Sequence, residues 1–444
     1  MRCFRSRLTA AWVGANCLSR CALFLPLRVN PSIHPPMSVT PGYLPSALVA
    51  GLLLLLSPAS ISLATAPASG HPALERARIE FVVRQVAGEV VRTTIYDPAA
   101  LAPGTLPSRY NEWLYQNFMI GEAMDALGRL WPDEAYGQHA RRVVEFYCAW
   151  EPTVQAGRLP PQLTWFRAPT EMWHCGLIAA FAEQQRTHPS AAKLRGMEIF
   201  DRFLAGAPRL PDGTIVRHKK APWNSPGLQI DDLYMVAPYW VRLARLKDDT
   251  RFYDRAVDEA LRYHDYLWNA QDRLHRCLWV EKLQRPAGLY WGRGNGWYVM
   301  AVTDLLQHLP ASHPQRAELL ADYRAVLAGV MARQDADGLW HQLLDRPDSF
   351  TESSCSAMFT YCLLRAAREG WIEARAAEHG RRGWVGLQTK LTDDFKLRDV
   401  VPGTDMRDEP QYYLDRPRLT HDPHVVGPFL LAGAELLLAG SQPR

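Results

Sequence analysis

Apolar side chains recur every three to four residues through most of this 444-residue chain, the spacing of a helix with a buried face. Twelve stretches carry it, at about 75–91, 113–131, 136–151, 171–187, 190–206, 231–246, 251–269, 295–308, 313–334, 353–369, 371–391 and 424–439, and none alternates strictly enough to predict a strand. The links between them differ in length. Short ones, such as Trp131–Ala135 and the turn at His188–Pro189, make antiparallel neighbours, while long ones, such as Pro152–Thr170 and Thr392–Pro423, separate the pairs. Six helical hairpins strung this way predict an all-α fold, an (α/α)6 barrel closed into a ring over residues 75–440. No period is visible in the sequence itself, which argues against a plain solenoid. Each long link feeds an even-numbered helix, so Trp113, Glu171, Asp231, Asn295, Ser353 and His424 are expected at one mouth, where free helix N–H groups favour an anionic group.

The first 66 residues lie outside this rhythm. "PSALVAGLLLLL" (Pro45–Leu56) is too short for a comfortable membrane span and is followed by an A-x-A site at Ala64 and Ala66, the pattern of a secretory signal. A leader over 1–66 implies a periplasmic or secreted domain with no stable membrane insertion. The stretch from Met37 to this run carries no Lys or Arg and 36 residues precede Met37, so a start at Met37 is one reconciliation and a lipid-anchored form the alternative. Three of the eight cysteines (Cys3, Cys17, Cys21) fall in the leader. The remaining Cys148, Cys175, Cys277, Cys355 and Cys362 are odd in number and lack C-x-x-C spacing, which fits neither a disulfide framework nor a zinc site. A net charge of +4 with interspersed signs argues against nucleic acid as partner. Fifteen tryptophans, with 17 Tyr and 14 Phe, suit both a packed core and platforms for sugar rings.

Two stretches concentrate chemistry at the expected mouth. In "LQIDDLYMVAPYW" (Leu228–Trp240) two acids precede an almost uncharged helix. One of the pair suits an N-cap. A carboxyl backed by Tyr, Met and Trp loses solvation, which raises its pKa toward that of a usable general acid. In "GLYWGRGNGWYVM" (Gly288–Met300) glycines between Trp291 and Trp297 suit a sharp turn or a close approach to a ligand, and Arg293 offers a planar fork for a carboxylate. A tight packed corner would use the same residues. "RHKK" (Arg217–Lys220) reads as a solvated face near the mouth that attracts polyanions. Glu352 and His424 read as residues of helix starts.

"IDDLYM", "YWGRGNGWYVM" and "FTESSCSAMFTYCL" (Phe350–Leu363), with "QDADGLW" at Gln334–Trp340, "EWLYQN" at Glu112–Asn117 and "HVVGPFLLAGAE" at His424–Glu435, resemble the unsaturated glucuronyl and rhamnogalacturonyl hydrolases, glycoside hydrolase families 88 and 105. The resemblance spans about residues 75–440 and implies an (α/α)6 barrel. It implies action on oligosaccharides left by polysaccharide lyases, whose non-reducing end is a uronate with a C4–C5 double bond. An aspartate matching Asp231 would protonate C4, water would add at C5, and the hemiketal would open and expel the aglycone. Asp232 would fall at a variable position, suited to capping. The resemblance further implies substrate contacts at Tyr115, Trp291, Arg293, Asn295 and Trp297, and no metal or cofactor.

Departures from the family pattern lie beside these positions. In "LHRCLWVE" (Leu274–Glu281) Cys277 stands where the family often has histidine and Val280 where it has aspartate, with His275 two residues before Cys277. Cys277 itself reads as a small apolar filler. A second acid at the start of the fourth helix is matched by Glu171 in "APTEMWHC". Two rival readings follow: an inverting glycosidase using Asp231 and Glu171, which needs carboxyls about 6.5–9.5 Å apart, and a glycan-binding protein with a decayed site.

Overall fold

The structure, a computed structural model, describes residues 70–100, 108–154, 164–220 and 222–439. The leader, its cysteines and its A-x-A site lie outside the described residues. Helices appear at all twelve expected places: α1 (Arg76–Thr93), α2 (Gln116–Leu130), α3 (His139–Val154), α4 (Ile178–Thr187), α5 (Ala191–Ala205), α6 (Asp232–Lys247), α7 (Arg251–Leu267), α8 (Gly292–His308), α9 (Arg316–Met331), α10 (Ser353–Arg368), α11 (Ala377–Thr389) and α12 (Pro423–Ala439). The even-numbered helices pack in sequence, α2 on α4, α4 on α6 and so on to α12, which returns to α2 and closes the inner ring. Odd-numbered helices flank them outside, α1 against α12 and α7 against α6.

The sorting follows from composition. Every side chain of α6 from Asp232 to Ala244 is buried, as is every residue of α8 from Gly292 to Leu306. A helix apolar all round has to be enclosed. The outer α7 buries mainly Ala256, Val257, Ala260, Leu261, Tyr263 and Leu267, one stripe of an otherwise charged helix.

Short strands in the links are an addition to the all-α barrel that the sequence did not signal. A four-stranded antiparallel sheet runs β1 (Arg217–Lys220), β2 (Ser225–Gln229), β5 (Leu278–Val280), β6 (Arg285–Ala287), and a two-stranded ribbon pairs β3 (Trp268–Asn269) with β4 (Leu274–His275). All occupy the links before α6 and α8. At two to five residues each they are too short to display a period of two. Register pairs Leu228 with Trp279 and Gln229 with Leu278, so β2 delivers Asp231 to the mouth from a hydrogen-bonded platform. A short helix, Pro410–Leu414, stands in the last long link.

The glycine-rich stretch is a further correction. Gly292, Gly294 and Gly296 lie inside the first turns of α8 rather than in a loop ahead of it. A Cβ at Gly292 would stand 2.7 Å from the His341 carbonyl oxygen, and one at Gly296 2.6 Å from the Met358 sulfur. Neighbouring protein, not a ligand, comes close to this backbone.

Candidate active site

The long links converge, as expected, on a cavity of about 390 Å³ at the mouth of the ring. Its wall takes Arg109, Glu112, Tyr115 and Gln116 from the entry to α2, Trp173 from the turn before α4, Arg217 from β1, and Asp231 from the start of α6. Trp291 and Arg293 come from the start of α8, Pro402–Asp405 from the last long link, and Asp422 and His424 from the start of α12.

Asp231 is 9% exposed and its side chain makes no capping bond. Its Oδ2 accepts a hydrogen bond of 3.1 Å from Gln229 Nε2, whose amide also donates to the Thr404 carbonyl at 3.1 Å, while Oδ1 has no partner among the described residues. Burial pushes the carboxyl pKa up to about 6, against the pull of Arg217. An acid so placed is half protonated near pH 6 with one oxygen free for proton transfer. Asp232, expected to cap, instead takes a buried bidentate pair with Arg217, Nε to Oδ2 at 2.7 Å and Nη2 to Oδ1 at 2.8 Å. Arg217 is thereby turned inward from a run that read as a solvated face.

Arg293 lines the cavity with its fork committed to protein. Nη1 donates to the Val401 carbonyl at 2.6 Å and Ser354 Oγ at 3.3 Å; Nη2 donates to the Pro402 carbonyl at 2.6 Å and Thr404 Oγ1 at 3.2 Å. Glu352 reinforces the clasp. Its carboxylate caps α10 through the Cys355 N–H at 2.8 Å and accepts from the Val401 N–H at 3.1 Å. The two side chains hold segment 401–404 as one wall of the site. Trp291 lines the cavity beneath the Arg293 guanidinium, 4.9 Å from the ring centre, with its indole N–H unpartnered among the described residues.

Three expected contacts stand elsewhere. Asn295 is fully buried, its amide bonding the His275 N–H and the carbonyls of His275 and Trp291, so it ties β4 to α8. Trp297 packs behind the wall, its ring centre 5.3 Å from that of Tyr115 and 5.0 Å from that of Tyr234. Glu171 lines a neighbouring cavity of about 500 Å³ with Thr170, Met172, Arg202 and His218; only Arg217 is common to both. Trp173, two residues on, is what this segment presents to Asp231's cavity, braced edge-on by Trp165 at 4.7 Å and His174 at 4.0 Å between ring centres.

Cys277 is buried beside the Tyr413 hydroxyl at 3.3 Å, and burial pushes its thiol up to about 11, which suits a filler. His275 is also buried, its Nε2 3.1 Å from His264 Nδ1, and Val280 lies within β5. None of the three lines the cavity.

The sequence reading missed an ordered polar group opposite. Asp422 Oδ1 meets His424 Nδ1 at 2.5 Å, and its Oδ2 accepts from Arg109 Nη1 at 2.9 Å. Despite burial, His424 and Arg109 hold the Asp422 carboxyl well below the usual range. Burial and the charge of Arg293 lower the His424 pKa, with Asp422 opposing. Its Nε2 faces the Tyr115 hydroxyl at 2.8 Å and Gln116 Nε2 at 2.9 Å. Glu112 is raised by burial, with Arg109 opposing. "EWLYQN" and the start of α12 signalled this region through the resemblance alone.

The sequence profile described as Glycosyl Hydrolase Family 88 matches residues 109–439, which hold the whole cavity wall. The chain belongs to glycosyl hydrolase family 88. Among relatives of this family 88 chain, the 24.9 kDa protein in picA locus of Rhizobium radiobacter is 38% identical over 187 residues, 38% of this chain and 80% of that protein. The unsaturated rhamnogalacturonyl hydrolase YesR of Bacillus subtilis is 29% identical over 211 residues, 47% of this chain and 59% of that one. Among solved structures, a possible member of family GH105 from Salmonella enterica superimposes with TM-score 0.69 at 20% identity, over 82% of this chain and 95% of that one. The unsaturated glucuronyl hydrolase of Bacillus sp. GL1 does so with TM-score 0.58 at 15% identity, over 82% and 96%. Both likenesses bear on the fold of the family 88 chain, the (α/α)6 barrel.

Proposed function

We propose that this glycoside hydrolase removes an unsaturated uronyl residue from the non-reducing end of lyase-generated oligosaccharides by hydrating its C4–C5 double bond, with Asp231 as general acid and base. One observation carries the reading: Asp231 is a buried carboxyl with a raised pKa and a free oxygen, in a cavity of small-molecule size. The protonated Asp231 gives its proton to C4, and positive charge develops at C5 and the ring oxygen. Water adds at C5 and returns a proton to the Asp231 carboxylate. The hemiketal then opens by breaking the bond between C5 and the ring oxygen, which leaves a ketone at C5 and a hemiacetal at C1. Collapse of the hemiacetal expels the aglycone as an alcohol.

Names borne by relatives support the substrate class, since YesR is an unsaturated rhamnogalacturonyl hydrolase and an Alteromonas relative is an unsaturated 3S-rhamnoglycuronyl hydrolase. The inverting alternative needs Asp231 and Glu171 across one bond, and Glu171 lines the neighbouring cavity instead. The A-x-A leader supports work outside the cytoplasm, in the periplasm or the medium. Incubation with lyase-generated oligosaccharides tests the reading: the absorbance of the conjugated uronate falls if it holds. Aglycone release at constant absorbance, or binding without turnover, would sink it.

A further inference from the structure

We propose that Arg217, not Arg293, is the anchor for the carboxylate of the uronyl group. The inference rests on the functional reading above and concerns how that site selects an acid. An arginine carries five N–H donors in a planar fork. Arg293 spends all four of its terminal hydrogens on Val401, Ser354, Pro402 and Thr404. Arg217 gives Asp232 only the Nε hydrogen and one from Nη2. Its Nη1 hydrogens and the second Nη2 hydrogen have no partner among the described residues, and one hydrogen from each nitrogen forms the end of the fork, matched to two carboxylate oxygens.

Position agrees with the donor count. Arg217 is 9% exposed and lies on the wall that the Asp231 cavity shares with the Glu171 cavity, so its open edge is partly desolvated before a ligand arrives. Asp232 holds the guanidinium from behind by two bonds, which fixes its plane and removes most of the ordering cost of binding. The remaining cation of the wall, Arg109, is committed to Asp422 and its side chain is 54% exposed. A carboxylate on Arg217 would also set register. It is bonded to C5, the neighbour of C4, and Arg217 is the charge that acts most strongly on Asp231. Docking the acid there brings the carbon to be protonated to the Asp231 side of the cavity.

A bidentate, charge-assisted contact contributes about 1.5–3 kcal/mol, so the free acid should bind roughly 10–150-fold more tightly than its methyl ester. The test is calorimetric, on Asp231→Asn protein, with a lyase-generated unsaturated disaccharide and its methyl ester. The acid preference should fall to about one in Arg217→Gln/Asp232→Asn, which keeps an amide pair and leaves no lone buried charge. It should fall equally in Arg217→Met/Asp232→Leu, which replaces the ion pair by apolar groups should the amides not fold. It should persist in Arg109→Gln. A preference retained in the folded Arg217 variants, lost in Arg109→Gln, or absent from the parent would overturn the assignment. Turnover by the unaltered protein reads on hydration separately, so the two failures are distinguishable.

Discussion

Replacing Asp231 by Asn should abolish turnover and make the protein more stable. The carboxyl has its pKa moved from 3.8 to about 6 by burial, so its ionised form is disfavoured in the fold. A shift of roughly two units corresponds to about 3 kcal/mol. The sign follows from proton binding. Below pH ~4 both states hold the proton and the cost is nearly absent; between pH ~4 and ~6 the folded state keeps a proton that the unfolded chain releases, so stability falls as pH rises. Above pH ~6 the full cost is present, with about half of it reached at pH ~5. The asparagine of the Asp231→Asn variant would carry no charge, and its amide oxygen can keep the bond from Gln229. For a domain of this size 3 kcal/mol amounts to about 4 °C in Tm. Thermal melts of both proteins from pH 4 to 7.5 should therefore diverge upward with pH in favour of the variant, while hydration slows by at least ~10²–10⁴-fold. A variant less stable than wild type at pH 7.5, or a difference that ignores pH, would refute the electrostatic account of this residue.

The same protonation sets the rate. Asp231 must hold its proton to begin the reaction, so kcat/KM should level off below its pKa of about 6 and fall about tenfold per pH unit above it, in a pH–rate profile on a fixed substrate. Arg293→Ala would leave Glu352 buried without its cation and segment 401–404 without its clasp. It should cost about 3–5 kcal/mol by urea melt and raise KM, while preserving the preference for acid over methyl ester. Gly427→Ala would place a Cβ 2.7 Å from Met119 Cβ and 2.8 Å from its carbonyl carbon, where α12 crosses α2. Overpacking of this kind costs about 1–3 kcal/mol, read as a lower urea midpoint with the pH profile unchanged.

The barrel was legible because apolar residues recur at helical spacing through twelve stretches and the links between them alternate in length. Asp231 was legible for a related reason: it stands ahead of α6, where Asp232 is followed by nine uncharged residues. The sheet was not, since strands of two to five residues cannot display alternation. That gap hid Arg217. Within "RHKK" only the pleat decides which side chain turns inward, and a charge run read without its strand looks uniformly solvated. Asn295 and Trp297 lie off the cavity, and the Arg293 fork turns to protein, for another reason. Glycines that admit a ligand and glycines that admit a neighbouring helix are identical in sequence, and here Met358 and the His341 carbonyl occupy that space. Glu171 and Trp173 differ by two residues in a turn of 3-10 helix, and that offset decides which of two cavities each one lines. Asp422 and His424 looked like any helix start, because a contact between residues two apart gives no signal until Arg109 and Tyr115 arrive from the other end of the chain.

Hydration is distinguished from cleavage at C1 most directly by proton NMR of a lyase-generated disaccharide during turnover. The vinyl proton at C4 should disappear in step with release of the aglycone, one for one, leaving a 5-keto uronate. Release of the aglycone with the vinyl signal retained on a free unsaturated sugar would contradict the account.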